Sequence, residues 1–365
     1  MFSKLHLWLS VPVGIFIAVI CLTGACLVFE DEITGRLNRD IYTVAYEEGQ
    51  KRMAPSEIIS AVRRQMPDSL QVQGLQVQGR EGLSYAVSFK NMGRKQLFVD
   101  PYTGEVKGWE RNHAFFSTMR KLHRWLLDAP AKKGDKTVGK MVVGISTLVM
   151  VVILLTGLAV WWPKNRKNLR QRLSVKTGKG KFRFWYDTHV SLGFYATIFL
   201  LVMALTGLTW SFGWYRTTFY SAFGVEQSSG GQQANGHGVN GGERQKKRQE
   251  FDFTVWDKAL AGIEMRYDGY ESVAFSASSA KVTPEHFGMR RQDNVEFNRK
   301  TGAIEKITPY LEQPMGNKMK GLVYSIHTGS WGGIVTKIIY FLACLIGTSL
   351  PLTGYYFWLK RRKKH

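Results

Sequence analysis

Four histidines stand in step with four copies of one tripeptide. His6, His123, His189 and His327 each come before an apolar segment that carries Leu-Thr-Gly near its end, at 22–24, 155–157, 205–207 and 352–354. Neutral imidazole is a good transition-metal ligand, and an ionisable side chain at membrane depth marks a functional site with a partner. Consecutive membrane helices run in opposite directions. A histidine at the start of each therefore falls alternately on the two faces, His6 and His189 on one, His123 and His327 on the other. The economical pairing is His6 with His189 and His123 with His327. One histidine from each of two facing helices holds a haem iron between them, so the pattern predicts two haems. With both axial positions filled by protein, such haems favour electron transfer over oxygen binding.

The triplets are expected to serve close packing. Small residues let helices, or a flat macrocycle, approach the backbone, and Gly14, Gly144, Gly193 and Gly347 join the triplet glycines in that role. The threonine hydroxyls bond back along the helix or across to a neighbour. The other histidines carry no assignment: His113, His237 and His286 fall in polar stretches that read as solvated, and His365 is terminal. Tryptophans gather at the ends of the apolar runs, where interfacial belts account for most of them.

The elements that must position the histidines are membrane spans. Mean hydropathy is −0.17, but that average mixes strongly apolar runs with two long polar insertions. The runs 11–29, 138–162, 190–212 and 332–358 are each near the roughly 20 residues needed to cross a bilayer. The first is longer than a signal-peptide core and lacks a small-residue cleavage site, so it is expected to remain as an anchor. The formal charge is +22. Its distribution argues for topology rather than nucleic-acid binding: the connection 164–183 is rich in Lys and Arg, and Lys360-Arg361-Arg362-Lys363-Lys364 closes the chain. Short basic loops stay in the cytoplasm, whereas long loops cross regardless of charge. Both termini and the basic connection are then cytoplasmic, the two insertions lie outside, and the basic runs contact anionic lipid. Cys21, Cys26 and Cys344 all fall within apolar runs, which leaves no disulfide framework.

The expected organisation is an α-helical integral membrane protein: a first span at 1–30, an exterior module at 31–120, an interfacial helix and second span at 121–163, and a basic loop at 164–183. A third span at 184–214, a second exterior module at 215–323 with a flexible stretch at 221–250, a fourth span at 324–359 and a basic tail at 360–365 complete it. In the first module, 55–64 reads as an amphipathic helix capped by Ser56, and 70–77, 84–90 and 96–99 read as strands. In the second, 253–265 reads as the helix and 271–276 and 294–297 as strands. The turn Asp100-Pro101-Tyr102-Thr103-Gly104 has a counterpart in Asn298-Arg299-Lys300-Thr301-Gly302. The chain reads as a duplicated unit of helix, α+β module and helix.

The run Leu122-His123-Arg124-Trp125-Leu126-Leu127, the later Trp161-Trp162-Pro163-Lys164, the stretch His189-Val190-Ser191-Leu192-Gly193-Phe194-Tyr195 and Ile326-His327-Thr328-Gly329 resemble the PepSY-associated transmembrane proteins. The Asp100 turn resembles the PepSY module itself. That resemblance implies two b-type haems on His6, His189, His123 and His327 in a bacterial inner-membrane protein. It also implies electrons entering from a quinol or cytoplasmic donor and reducing a ferric siderophore outside. The chain has no G-x-G-x-x-G before a helix and no P-loop, so the donor is expected to be a separate molecule. Two other readings stand beside this one: a membrane-anchored PepSY module that binds peptides or restrains a protease without redox activity, and a siderophore channel or carrier. Basic residues (Arg290, Arg291, Arg299, Lys300) and aromatic ones (Phe251, Phe253, Trp256, Tyr267, Tyr270) offer contacts to several chelate classes.

Overall fold

A computed structural model describes residues 1–93, 95–132, 135, 137–225, 251–284 and 291–362. His237, His286, Arg290, His365 and most of the stretch expected to be flexible lie outside these residues. The chain divides into two units. One comprises 1–32, 112–225 and 319–365, and the other 33–111 and 226–318.

The first unit is helical and membrane-embedded. Among the described residues four helices are long and apolar enough to span: Phe2–Val28, Val138–Trp161, Lys181–Ser211 and Gly333–Arg362. The first and third begin well before their apolar runs. Hydropathy does not register the opening turns, where Lys4, Lys181 and Arg183 are good helix formers that end no helix. His6 and His189 therefore sit inside spanning helices rather than ahead of them. The middle of the bundle is closed by Ile17, Cys21, Met150, Leu154, Ala196, Leu200 and Ala343.

Pro12 lies inside the first helix, and one backbone bond near it is bridged by a side chain. Tyr355 Oη donates to Val11 O at 2.7 Å and accepts from Ile15 N at 3.1 Å, the donor and acceptor that would otherwise bond each other. Such an insertion bends a helix. It also needs Gly14, because a Cβ there would lie 2.7 Å from Tyr355 Oη.

Short helices precede the second and fourth spans, at Ala114–Trp125 and Met315–Thr328. The first begins at Ala114, ahead of the interfacial helix expected from residue 121. It ends at Trp125 because Leu126 (φ 50°) and Leu127 (φ 72°) are left-handed, which turns the chain so tightly that a Cβ on Gly139 would lie 1.8 Å from Trp125 O. Arg120 pairs with Glu30, and Lys337 with Glu32 at 2.6 Å, fixing the short helix Glu30–Leu37 that follows the first span to its neighbours.

The second unit is built on one antiparallel sheet packed against two longer helices. Its strands are β1 (Val72–Gln78), β2 (Tyr85–Phe89), β3 (Gln96–Val99), β4 (Val106–Trp109), β5 (Ser272–Ser276), β6 (Ser279–Thr283), β7 (Asp293–Phe297) and β8 (Ile304–Thr308). Their order is β4-β3-β2-β1-β5-β6-β7-β8, so pairing of β1 with β5 joins the strands of both insertions. Gly74 and Gly79 permit that approach, since a Cβ would lie 2.5 Å from Phe275 O and 1.7 Å from Tyr270 O respectively. The helices Pro55–Gln65 and Thr254–Glu264 cover one face, burying Ile58, Ile59, Val62, Trp256, Ala259 and Ile263.

Ser56 is not the cap of its helix. Ala54 is, with Glu57 Oε2 accepting from Ala54 N at 2.7 Å, because Pro55 takes the first helical position, where no N–H is needed. Ser56 instead donates from N and Oγ to Asp257 of the other helix, at 2.8 and 2.5 Å. The two matched turns have one geometry: Asp100 Oδ1 accepts from Tyr102 N and Thr103 N at 2.8 and 3.2 Å, and Asn298 Oδ1 from Lys300 N and Thr301 N at 2.9 and 3.2 Å.

Candidate functional site: four clasped histidines

Each histidine is held by the Leu-Thr-Gly triplet of a different helix. On the spanning helices the triplet threonines face inward, with Thr23, Thr156, Thr206 and Thr353 between 3% and 7% exposed, while Leu22, Leu155 and Leu352 are near half exposed. Every one of these threonine hydroxyls donates back to carbonyls of its own helix, as Thr206 Oγ1 does to Val202 O at 2.7 Å. That habit of threonine in a helix uses the hydroxyl proton and leaves the oxygen to accept.

The acceptor meets a histidine. Nδ1 lies 3.4 Å from Thr156 Oγ1 for His6, 3.3 Å from Thr23 for His123, 2.7 Å from Thr353 for His189 and 3.1 Å from Thr206 for His327. The same Nδ1 reaches the carbonyl three residues before the threonine, Ile153 O at 3.0 Å for His6, Ile20 O at 2.9 Å for His123 and Met203 O at 3.0 Å for His327. For His189 the acceptor is Thr353 Oγ1 itself, whose own proton goes to Ser349 O and Leu350 O. Carbonyl oxygens only accept, and the Thr353 hydroxyl proton is already committed to its own helix, so Nδ1 carries the proton on all four rings. Nε2 is then a bare lone pair, the form that ligates a metal, with the other nitrogen's hydrogen bond fixing the ring's orientation.

The triplet glycine makes the room. A Cβ on Gly24, Gly157 or Gly207 would lie 3.1 Å from Cε1 of His123, His6 or His327, tighter than ordinary contact, whereas Gly354 has nothing within 4 Å. The triplets thus position histidines as well as pack helices. Sequence reasoning separated those two roles. The recurrence of triplet and histidine was the signal that they belong together.

The clasps are reciprocal within each half. The first helix contributes His6 and holds His123; the second span holds His6 and is preceded by His123. The third and fourth do the same with His189 and His327. In both spanning helices that carry a histidine, 17 residues separate it from its triplet threonine, about 26 Å along the axis. The clasps consequently lie near opposite ends of the bundle.

Across the halves, the structure brings the histidines together two by two. The rings of His123 and His327 have centroids 6.2 Å apart and an interplanar angle of 58°. A metal about 2 Å from each of two facing imidazole nitrogens places the ring centroids roughly 6 Å apart. Burial drives the pKa of His123 below its ordinary value; burial and the neighbouring His123 take His327 down to about 4. Both rings are neutral at physiological pH. Trp210 stands edge-on to His327 at 5.1 Å.

His6 and His189 line one cavity of about 430 Å³. Its wall combines apolar side chains such as Ile17, Met150 and Leu154 with five glycines, Gly14, Gly157, Gly193, Gly347 and Gly354, and its rim carries Arg172, Tyr186, Trp358 and Arg361. Trp161 also lines it, stacked on Phe194 at 3.7 Å. Trp161 Nε1 is buried with no hydrogen-bond partner among the described residues. Among those residues no three His, Cys, Asp or Glu side chains converge on one point. Two imidazoles with ring centroids 6.2 Å apart at His123/His327, and two lining an apolar, glycine-walled cavity at His6/His189, each fit a metal whose remaining ligands come from a flat macrocycle. Haem fits this set.

The remaining candidates stand apart. His113 begins the helix Ala114–Trp125 with Nε2 shielded from solvent, rather than fully solvated as expected. Phe251, Phe253 and Trp256 pack against one another and into the sheet core, so they are structural side chains. Tyr267 and Tyr270 donate to Asp293 and Glu264.

No curated protein matches the chain. The pattern of the PepSY-associated TM region, however, matches residues 3–361, which takes in all four spans, all four histidines and the sheet unit, and the chain belongs to that family.

Proposed function

We propose that this protein is a transmembrane electron carrier that holds two haem b groups and reduces a ferric siderophore on the outer face of the bacterial inner membrane. His6 and His189 ligate the haem near the cytoplasmic face, and His123 and His327 the one near the periplasm. The observation that carries the reading is the fourfold clasp: four histidines on four elements, each with Nδ1 committed to a triplet threonine oxygen, three of them to a carbonyl as well, and Nε2 left for a metal. A packing role alone gives no reason for the same nitrogen to be spent four times.

When bound, haem supplies a reversible one-electron iron couple. The protein's part is to hold two such centres at opposite ends of an apolar bundle. The clasp fixes each imidazole's tautomer and angle and makes it a stronger donor. Ile17, Cys21, Met150, Leu154 and Leu200 keep water from the space between. One electron, taken from a quinol or a cytoplasmic reductant, converts the chelated ferric ion to ferrous. A chelator built for the ferric ion then loosens its hold. The short basic connection and tail support a topology with the termini in the cytoplasm and the sheet unit in the periplasm. The matched clasps and the twin Asp100 and Asn298 turns support descent from a duplicated helix-module-helix unit.

The test is direct. Dithionite-reduced, detergent-purified protein is mixed anaerobically with a panel of ferric chelates while the haem spectrum and a ferrous-iron indicator are followed together. Haem reoxidation matched by ferrous iron supports the reading; a reduced spectrum indifferent to every chelate refutes it.

A further inference from the structure

Arg172 belongs to the basic connection, and composition alone counts it as one topogenic charge among many. Its surroundings set it apart. Arg172 Nη1 donates to Val160 O at 2.9 Å and Trp161 O at 2.8 Å, carbonyls that the end of the second span leaves without a helical partner. One edge of the guanidinium is thereby anchored. No hydrogen bond takes Nε or Nη2 among the described residues. The side chain lines the His6/His189 cavity together with Arg361 of the fourth helix's last turn. Beside them is Trp161, whose Nε1 has no partner. Arg172 also borders a polar recess of about 200 Å³ with Asn168, Gln171 and Arg183.

An apolar cavity lined by two guanidinium groups and a buried, spare indole N–H is matched to a flat apolar ligand with anionic groups along one edge. We propose that Arg172 and Arg361 bind the two propionate carboxylates of the haem held by His6 and His189, with Trp161 Nε1 as a further donor, so that the propionate edge faces the basic side of the bundle. Charge-assisted hydrogen bonds from a planar guanidinium to a carboxylate are among the strongest available to a side chain, and Arg172 is already held in place to make them. This assignment rests on the dihaem reading of the preceding subsection.

The experiment is reconstitution of full-length protein, prepared from haem-depleted cells, with haem b or with its dimethyl ester, which lacks the carboxylates. Occupancy at each site is resolved by low-temperature spectra. Wild type is expected to prefer haem b over the ester at the His6/His189 site by about 10- to 100-fold. That preference is expected to collapse in Arg172→Gln/Arg361→Gln and to persist in Arg166→Gln, an exposed arginine of the same connection. Normal filling of the His123/His327 site shows that the double variant is folded. A wild-type chain that takes up no haem overturns the dihaem reading and this inference together. A chain that binds haem but discriminates equally with and without the two arginines, or loses discrimination in Arg166→Gln, overturns the inference alone.

Discussion

The glycines of the four triplets allow a prediction in which stability and function separate. Alanine at position 24, 157 or 207 puts a Cβ 3.1 Å from the Cε1 of its histidine, and the ring must give by a few tenths of an ångström. The Nδ1–carbonyl bonds of 2.9 to 3.0 Å stretch accordingly, at the expense of a contribution of about 0.5–1.5 kcal/mol each. Alanine in a helix interior also gains about 1 kcal/mol over glycine. The two effects nearly cancel in overall stability, so thermal unfolding is the wrong assay. Ring placement has no such compensation. Gly24→Ala and Gly207→Ala are expected to shift the potential and lower the occupancy of the His123/His327 haem, and Gly157→Ala to do the same to the other. Gly35→Ala, in a helix away from both histidine pairs and with nothing within 4 Å, is expected to leave both centres alone. Haem content and redox titration of each variant decide it. If Gly35→Ala disturbs a centre as much as the three triplet variants do, or all four are silent, the clasp does not position the ligands.

Thr353→Val removes the shortest histidine contact, 2.7 Å, and weakens imidazole donation to ferric iron; redox titration should find that centre's potential raised by tens of millivolts, on the order expected for one hydrogen bond. Leu127→Gly relieves a left-handed φ of 72° at an exposed position and is expected to stabilise the protein by about 1 kcal/mol in thermal unfolding. Asp257→Ala strips both partners from Ser56 and the negative charge from a helix N-terminus, which should expose the sheet unit to limited proteolysis through a loss of about 1–2 kcal/mol.

The spans and histidines were legible because long apolar runs and rare intramembrane ionisable residues are properties of single segments. Helix starts were less so: nothing in hydropathy marks that the helix of His189 begins at Lys181. β6 was missed because Ser279-Ala280-Lys281-Val282-Thr283 is short and half polar, and it follows β5 through a two-residue turn, Ala277-Ser278, without the glycine that signals a tight hairpin. The single eight-stranded sheet and the clasp were beyond reach for a shared reason. Both are registers between segments more than 100 residues apart, β1 against β5 and His6 against Thr156. Periodicity within a segment carries no information about which partner it meets. The matched triplets and turns hinted at equivalence between halves, not at contact.

The central claim is that the four histidines serve as two axial pairs, and haem stoichiometry in the single variants His6→Ala, His189→Ala, His123→Ala and His327→Ala tests it most directly. Wild type from haem-replete cells should carry two haems per chain. His123→Ala and His327→Ala should each lose the same spectral component, and His6→Ala and His189→Ala the other. A colourless wild-type preparation, or two haems retained in all four variants, would contradict the account.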